Sequence, residues 1–196
     1  MLYIKFDIQD ASAYQDFQKL YGHMVAVRQP DHEFDDDEDP DFDWDNMPQE
    51  EVTRSLEILD AFLDEAPQAR RYKSLIPDYA HLFMGRYFQG AHQTLETLAI
   101  DDILSLFNYL EFDFEVDMNR LEKLGEASGI VEFSTGNYPF GGLERFFITL
   151  KAFGLIPTEC FDGFTIAALQ WKSAFEYTAS ELPERTKDYL RQYGNS

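Results

Sequence analysis

The chain has 196 residues, and its 37 acidic and 16 basic side chains leave a formal charge of −21, which argues against direct binding to nucleic acid or an anionic membrane, since both need a basic surface. A hydrophobic fraction of 44%, with 18 Phe and 11 Tyr, is ample core material and excludes global disorder. The single Cys160 excludes a disulfide scaffold. Charges at Lys5 and Asp7 break the apolar run a signal peptide needs, and no apolar run approaches the roughly 20 residues of a membrane helix.

Leu2 to Ile8 alternates, with Leu2, Ile4, Phe6 and Ile8 on one face, and reads as a strand. Asp10 caps a helix carrying Tyr14, Phe17, Leu20 and Tyr21, with Gly22 as its stop, and His23 to Gln29 reads as a second strand. A loop over about 30–48 follows, punctuated by Pro30, Pro40 and Pro48. Residues 49–65 form an amphipathic helix with an apolar stripe of Val52, Leu56, Leu59 and Leu63. Arg70, Arg71 and Lys73 make a basic cluster suited to pairing with the acids before it.

Pro77 opens a helix to about Gln89, and a second helical piece runs from Gly90 to Leu98. Asp101 or Asp102 starts another, with Ile103, Leu106, Phe107 and Leu110 inward. The strict alternation of Leu110 to Asp117 predicts a strand with Glu111, Asp113, Glu115 and Asp117 wet. Asp117 then caps a helix with Met118, Leu121 and Leu124. A strand over Ile130–Ser134, a loop from Thr135 to Gly142, a helix from Leu143 to Gly154, a strand from Phe164 to Trp171 and a helix from Pro183 to Tyr193 complete the chain. The order predicts one α+β domain over 1–196, with a mixed sheet of four or five strands covered by helices, in the cytoplasm.

The charge is concentrated. Residues 30–66 hold 16 acids and one base, and Asp31 to Asp45 places ten carboxylates in 15 positions. Such crowding costs free energy through self-repulsion unless solvent, salt or a partner offsets it. The run also contains aromatics: Asp41-Phe42-Asp43-Trp44-Asp45 alternates acid and ring. These rings either pin the loop to the body or anchor a partner, a task for which Trp is favoured.

Motifs for catalysis are missing from the sequence: there is no H-E-x-x-H, P-loop, G-x-S-x-G or C-x-x-C. Asp41-x-Asp43-x-Asp45 resembles the start of an EF-hand loop, but Val52 stands where the bidentate Glu belongs. No catalytic residue, metal or cofactor is therefore expected. The expected function is a non-enzymatic acidic protein that docks a basic surface of a partner protein, as an immunity protein or a nucleic-acid mimic does. The partner-binding residues are Asp35, Asp36, Asp37, Asp39, Asp41, Phe42, Asp43, Trp44 and Asp45. The alternative is a small-molecule binder or enzyme with an anion or small-ligand site at Tyr138, Gly141, Gly142, Glu144 and Arg145, where glycines precede a helix N-terminus.

Overall fold

The computed structural model describes residues 1–34, 40–90, 102–113, 115–135 and 143–193. It is an α+β fold built on one six-stranded sheet, ordered β2-β3-β1-β4-β5-β6, in which every neighbouring pair is antiparallel. The strands are β1 (Leu2–Ile8), β2 (Asp117–Gly125), β3 (Ser128–Ser134), β4 (Leu155–Phe161), β5 (Ile166–Trp171) and β6 (Tyr177–Glu181). The mixed sheet of four or five strands is thus corrected to six antiparallel ones.

Seven α-helices lie among the described residues: α1 (Ala11–Ala26), α2 (Gln49–Asp64), α3 (Pro67–Leu75), α4 (Asp78–Gly90), α5 (Ile103–Asn108), α6 (Leu143–Ala152) and α7 (Pro183–Tyr193). None is long and apolar enough to cross a membrane. The helical piece expected from Gly90 to Leu98 lies, beyond Gly90, outside the described residues.

The period-2 pattern of β1 puts Leu2, Ile4, Phe6 and Ile8 into the main core, where α1 adds Tyr14, Phe17, Leu20 and Met24 and α6 adds Phe146, Phe147 and Leu150. The opposite face holds a smaller cluster of Tyr3, Ile130, Phe161 and Ile166, against which Leu182 and the α7 residue Tyr189 pack. Gly129 is required by crowding. A Cβ there would sit 2.5 Å from the ring of the fully buried Phe6. Gly154 (φ +66°) takes the left-handed conformation that ends α6 and turns the chain into β4.

Three expected elements are replaced. Where a strand is expected from His23 to Gln29, α1 instead continues through Gly22 to Ala26, and Val27 to Gln29 turn out of it. A mid-helix glycine costs about 1 kcal/mol, and burial of Met24 with its neighbours outweighs it. The guanidinium of Arg28 then closes the helix end, donating to the carbonyls of Met24, Leu110 and Val116 at 2.5, 2.9 and 2.8 Å.

Of the strand expected over Leu110–Asp117, the part up to Asp113 is instead a π-helical turn, Tyr109–Asp113, continuing α5; it buries Glu111 and leaves Phe112 51% exposed, and Phe114 lies outside the described residues. The helix after Asp117 is the edge strand β2. Its Met118 and Leu121 are half-buried against the main core, but the register shift between Met118 and Arg120 spaces them three apart, so it lacks the alternation of a half-buried strand, and its Leu, Glu, Lys and Arg read as helix formers. Pairing with β3 decides the matter: Arg120 grips Glu132 through both Nε and Nη2, at 2.8 Å each.

Strands β4 and β6 were not expected. Pro157 disguises β4, because proline is confined to edges and bulges. It sits where the β1–β4 register shifts between Lys5 and Phe6.

Candidate functional site

The acidic limb starts at the end of α1 and runs through α2. Its root is an aromatic and ionic cluster. Phe34 sets its ring edge-on to His32 (4.7 Å between centroids), within 6.2 Å of His23 and 6.0 Å of Phe112, and lies 4.0 Å from the Arg71 guanidinium. Arg71 donates to both oxygens of Glu111, from Nε at 2.7 Å and Nη2 at 3.0 Å, and His23 Nε2 lies 2.7 Å from the same carboxylate. The Glu111 side chain is fully buried. Burial alone would raise its pKa, but hydrogen bonds from His23 and Arg71 outweigh that and hold it below the usual carboxylate range.

The far end of the limb is held by the preceding arginine. Arg70 Nη1 donates to the carbonyls of Phe62 and Glu65, at 2.8 and 2.7 Å, and its guanidinium lies 3.8 Å from the Phe62 ring. Lys73 meets the Glu65 carboxylate. Of the basic cluster, Lys73 therefore pairs with an acid just before it, whereas Arg70 binds carbonyls and Arg71 reaches a distant glutamate.

Between these anchors, Phe42 and Trp44 contact each other at 5.1 Å in a T-shape, and Trp44 is 43% exposed. Asp41, Asp43 and Asp45 are exposed around them. Asp43 accepts two bonds from the Asn46 amide, 2.9 and 3.0 Å, which shape the turn that carries Trp44. Asp35, Asp36, Asp37 and Asp39 lie outside the described residues. Of the limb's rings, then, Phe34 pins the loop to the body, while Phe42 and Trp44 pair on the surface.

The two described residues of the alternative site, Glu144 and Arg145, diverge. Glu144 accepts from the Tyr177 hydroxyl on β6 at 3.4 Å, whereas the Arg145 guanidinium lies 4.5 Å over the Tyr109 ring. Arg145, with Gln68, Asp102, Asn108 and Asp113, lines a polar cavity of about 390 Å³ that does not include Glu144. Tyr138, Gly141 and Gly142 lie outside the described residues.

The chain matches no protein-family model, no curated protein and no solved structure. Its geometry is the ground for reading its function.

Two further polar clusters escape sequence reasoning. On the open half of the sheet, Glu159 accepts from Tyr3 Oη (2.9 Å), Lys5 Nζ (3.0 Å) and both terminal nitrogens of Arg185. Its partners Tyr3, Lys5 and Arg185 line a groove of about 940 Å³, together with Arg120, Glu132 and Tyr189. In this groove Arg120 pairs with Glu122 and Glu132, while Lys5 and Arg185 share the one carboxylate of Glu159.

Lys151 is the second. Buried in α6, it donates to the carbonyls of Ser173 and Ala174 and lies 3.5 Å from the centroid of the Trp171 ring, and burial pushes its amine down to about 8. It clamps the β5–β6 turn. Cys160 is buried, and burial, followed by the nearby Asp162 and Glu159 charges, raises its thiol to about 12, which opposes a nucleophilic role. Among the described residues no three His, Cys, Asp or Glu side chains gather around a metal-sized point.

Proposed function

We propose that this chain is a non-enzymatic, cytoplasmic binding protein that docks a basic surface of a partner protein through its acidic limb, in the manner of an immunity protein or a nucleic-acid mimic. One observation carries the reading. Phe42 and Trp44 pack against each other on the surface amid exposed Asp41, Asp43 and Asp45, in a segment clipped to the body at both ends. A merely solvating loop has no use for a Trp presented among carboxylates; an interface uses Trp as anchor and the surrounding charge to steer encounter. The single buried free thiol fits a reducing compartment.

The test is affinity capture from the source cells at low salt. The bait is the native chain or one with Asp35, Asp36, Asp37, Asp39, Asp41, Asp43 and Asp45 changed to Asn. A basic protein should be retained by the native chain alone and released as salt shortens the screening length from about 30 Å at 0.01 M to about 3 Å at 1 M. Identical retention by both chains would refute the proposal.

A further inference from the structure

The α2 helix leaves more apolar surface uncovered than a helix serving only the core would. Over Gln49–Asp64 only Ser55 is buried. The centre of its apolar arc, Val52, Leu59 and Phe62, is half-covered, with Ser55 set against Met47 Sδ at 3.2 Å. Both flanks are open: Leu56 is 48% exposed, Leu63 63% and Ile58 45%. Leu56 and Leu63 lie seven residues apart, on one edge of the helix. Asp60 stands between them, four residues after one and three before the other, so it borders both. Glu57 and Asp64 are exposed nearby.

A second copy of this chain is a poor occupant for that edge. Each copy would bring the same 16 acids and one base of residues 30–66. Like charges at such a contact oppose association. The occupant must carry positive charge and apolar side chains together.

We infer that α2 is the apolar part of the docking surface and that the partner presents leucine-like side chains within a basic face, as a cationic amphipathic helix or a basic-rimmed groove does. This rests on the proposed function and narrows it. The partner's site resembles a protein-recognition groove more than a phosphate-binding track, which would leave Leu56 and Leu63 without contacts.

The probes are two synthetic peptides of equal charge: an amphipathic Leu/Lys helix of about two heptads and an oligolysine. Each is titrated into the native chain, the Leu56→Gln/Leu63→Gln double variant, and Leu82→Gln, a control on α4 whose native side chain is 60% exposed. The Leu/Lys helix should bind the native chain and the control about tenfold more tightly than oligolysine, a difference of about 1.4 kcal/mol. The double variant should erase that advantage and leave oligolysine binding unchanged. An advantage that is absent, or that survives in the double variant, overturns the inference. The proposed function is read separately, from oligolysine and the seven-Asn chain. Weakened binding there sustains it even if the leucine arm fails, and unchanged binding removes it.

Discussion

Replacing Glu111 with Leu leaves the Arg71 guanidinium, whose side chain is only 12% exposed, without the carboxylate that it grips through two nitrogens. Removing one partner of a buried pair costs about 3–5 kcal/mol, and the remaining access of Arg71 to water sets the expectation at about 3. Arg71→Met alone should cost a similar amount, because Glu111 is then left buried with only His23, 2.7 Å away. The double variant removes both charges. Its cost should fall to about 1 kcal/mol, mostly the lost contact of the guanidinium with Phe34.

Urea unfolding of the four proteins at neutral pH measures this cycle, with unchanged m-values as the sign that the unfolded state is not the source. Single costs of about 3 kcal/mol each against about 1 for the double variant correspond to a coupling of about 5 kcal/mol. Additive costs would show that Glu111 and Arg71 do not act as a pair. The sign with pH follows from the depressed carboxyl. As pH falls below the ordinary 4.5, the unfolded chain takes up its proton first, so the native protein loses this contribution on acidification. Glu111→Leu should lack that part of the acid loss.

Gly129→Ala should destabilise by about 2 kcal/mol through overpacking, since its Cβ would meet Phe6 ring atoms at 2.5 and 2.6 Å and the Glu122 carbonyl at 3.1 Å; an unchanged urea midpoint would show that the β1–β3 crossing has slack. Lys151 titrates near 8 when folded against 10.5 in its ordinary state, so the unfolded chain holds more protons between those values and the native state gains stability as pH rises. The stability of the native protein relative to Lys151→Met should therefore grow by about 1.5 kcal/mol between pH 8 and 9.5, at no more than about 1.4 per pH unit; a constant difference would mean that Lys151 is not desolvated.

The elements legible in the sequence are those whose pattern is local. β1 alternates, α6 repeats its apolar residues and stops at Gly154, and α2 falls within a residue of its expected end. The misread ones are decided across the chain. The alternation from Leu110 to Asp117 is real as a pattern, yet Glu111 is drawn inward by Arg71 and His23, 40 and 88 residues away. β2 looks helical because a bulge sets its core-facing Met118 and Leu121 three residues apart, and its hairpin with β3 makes it a strand. The same limit applies to the candidate site. The acids and the Phe42–Trp44 pair are visible in composition, whereas the anchors that hold the limb are long-range and are not.

Those anchors bear on how the limb would bind. Arg70 and Arg71 are consecutive residues of α3. One clips the end of α2 through the Phe62 and Glu65 carbonyls, and the other seats Phe34 at the start of the limb. Two adjacent side chains thus close the base of a segment of about 30 residues that carries most of the negative charge. A free acidic tail would lose conformational entropy on meeting a partner, which subtracts from affinity. Clipping both ends on one helix removes part of that cost before the encounter, and the cationic sites spent on it lie at the limb's base, where they leave the outward carboxylates unneutralised. The order Glu65, Arg70, Arg71 in sequence therefore serves anchorage more than charge cancellation, which is the arrangement expected of a limb kept negative for something else to meet.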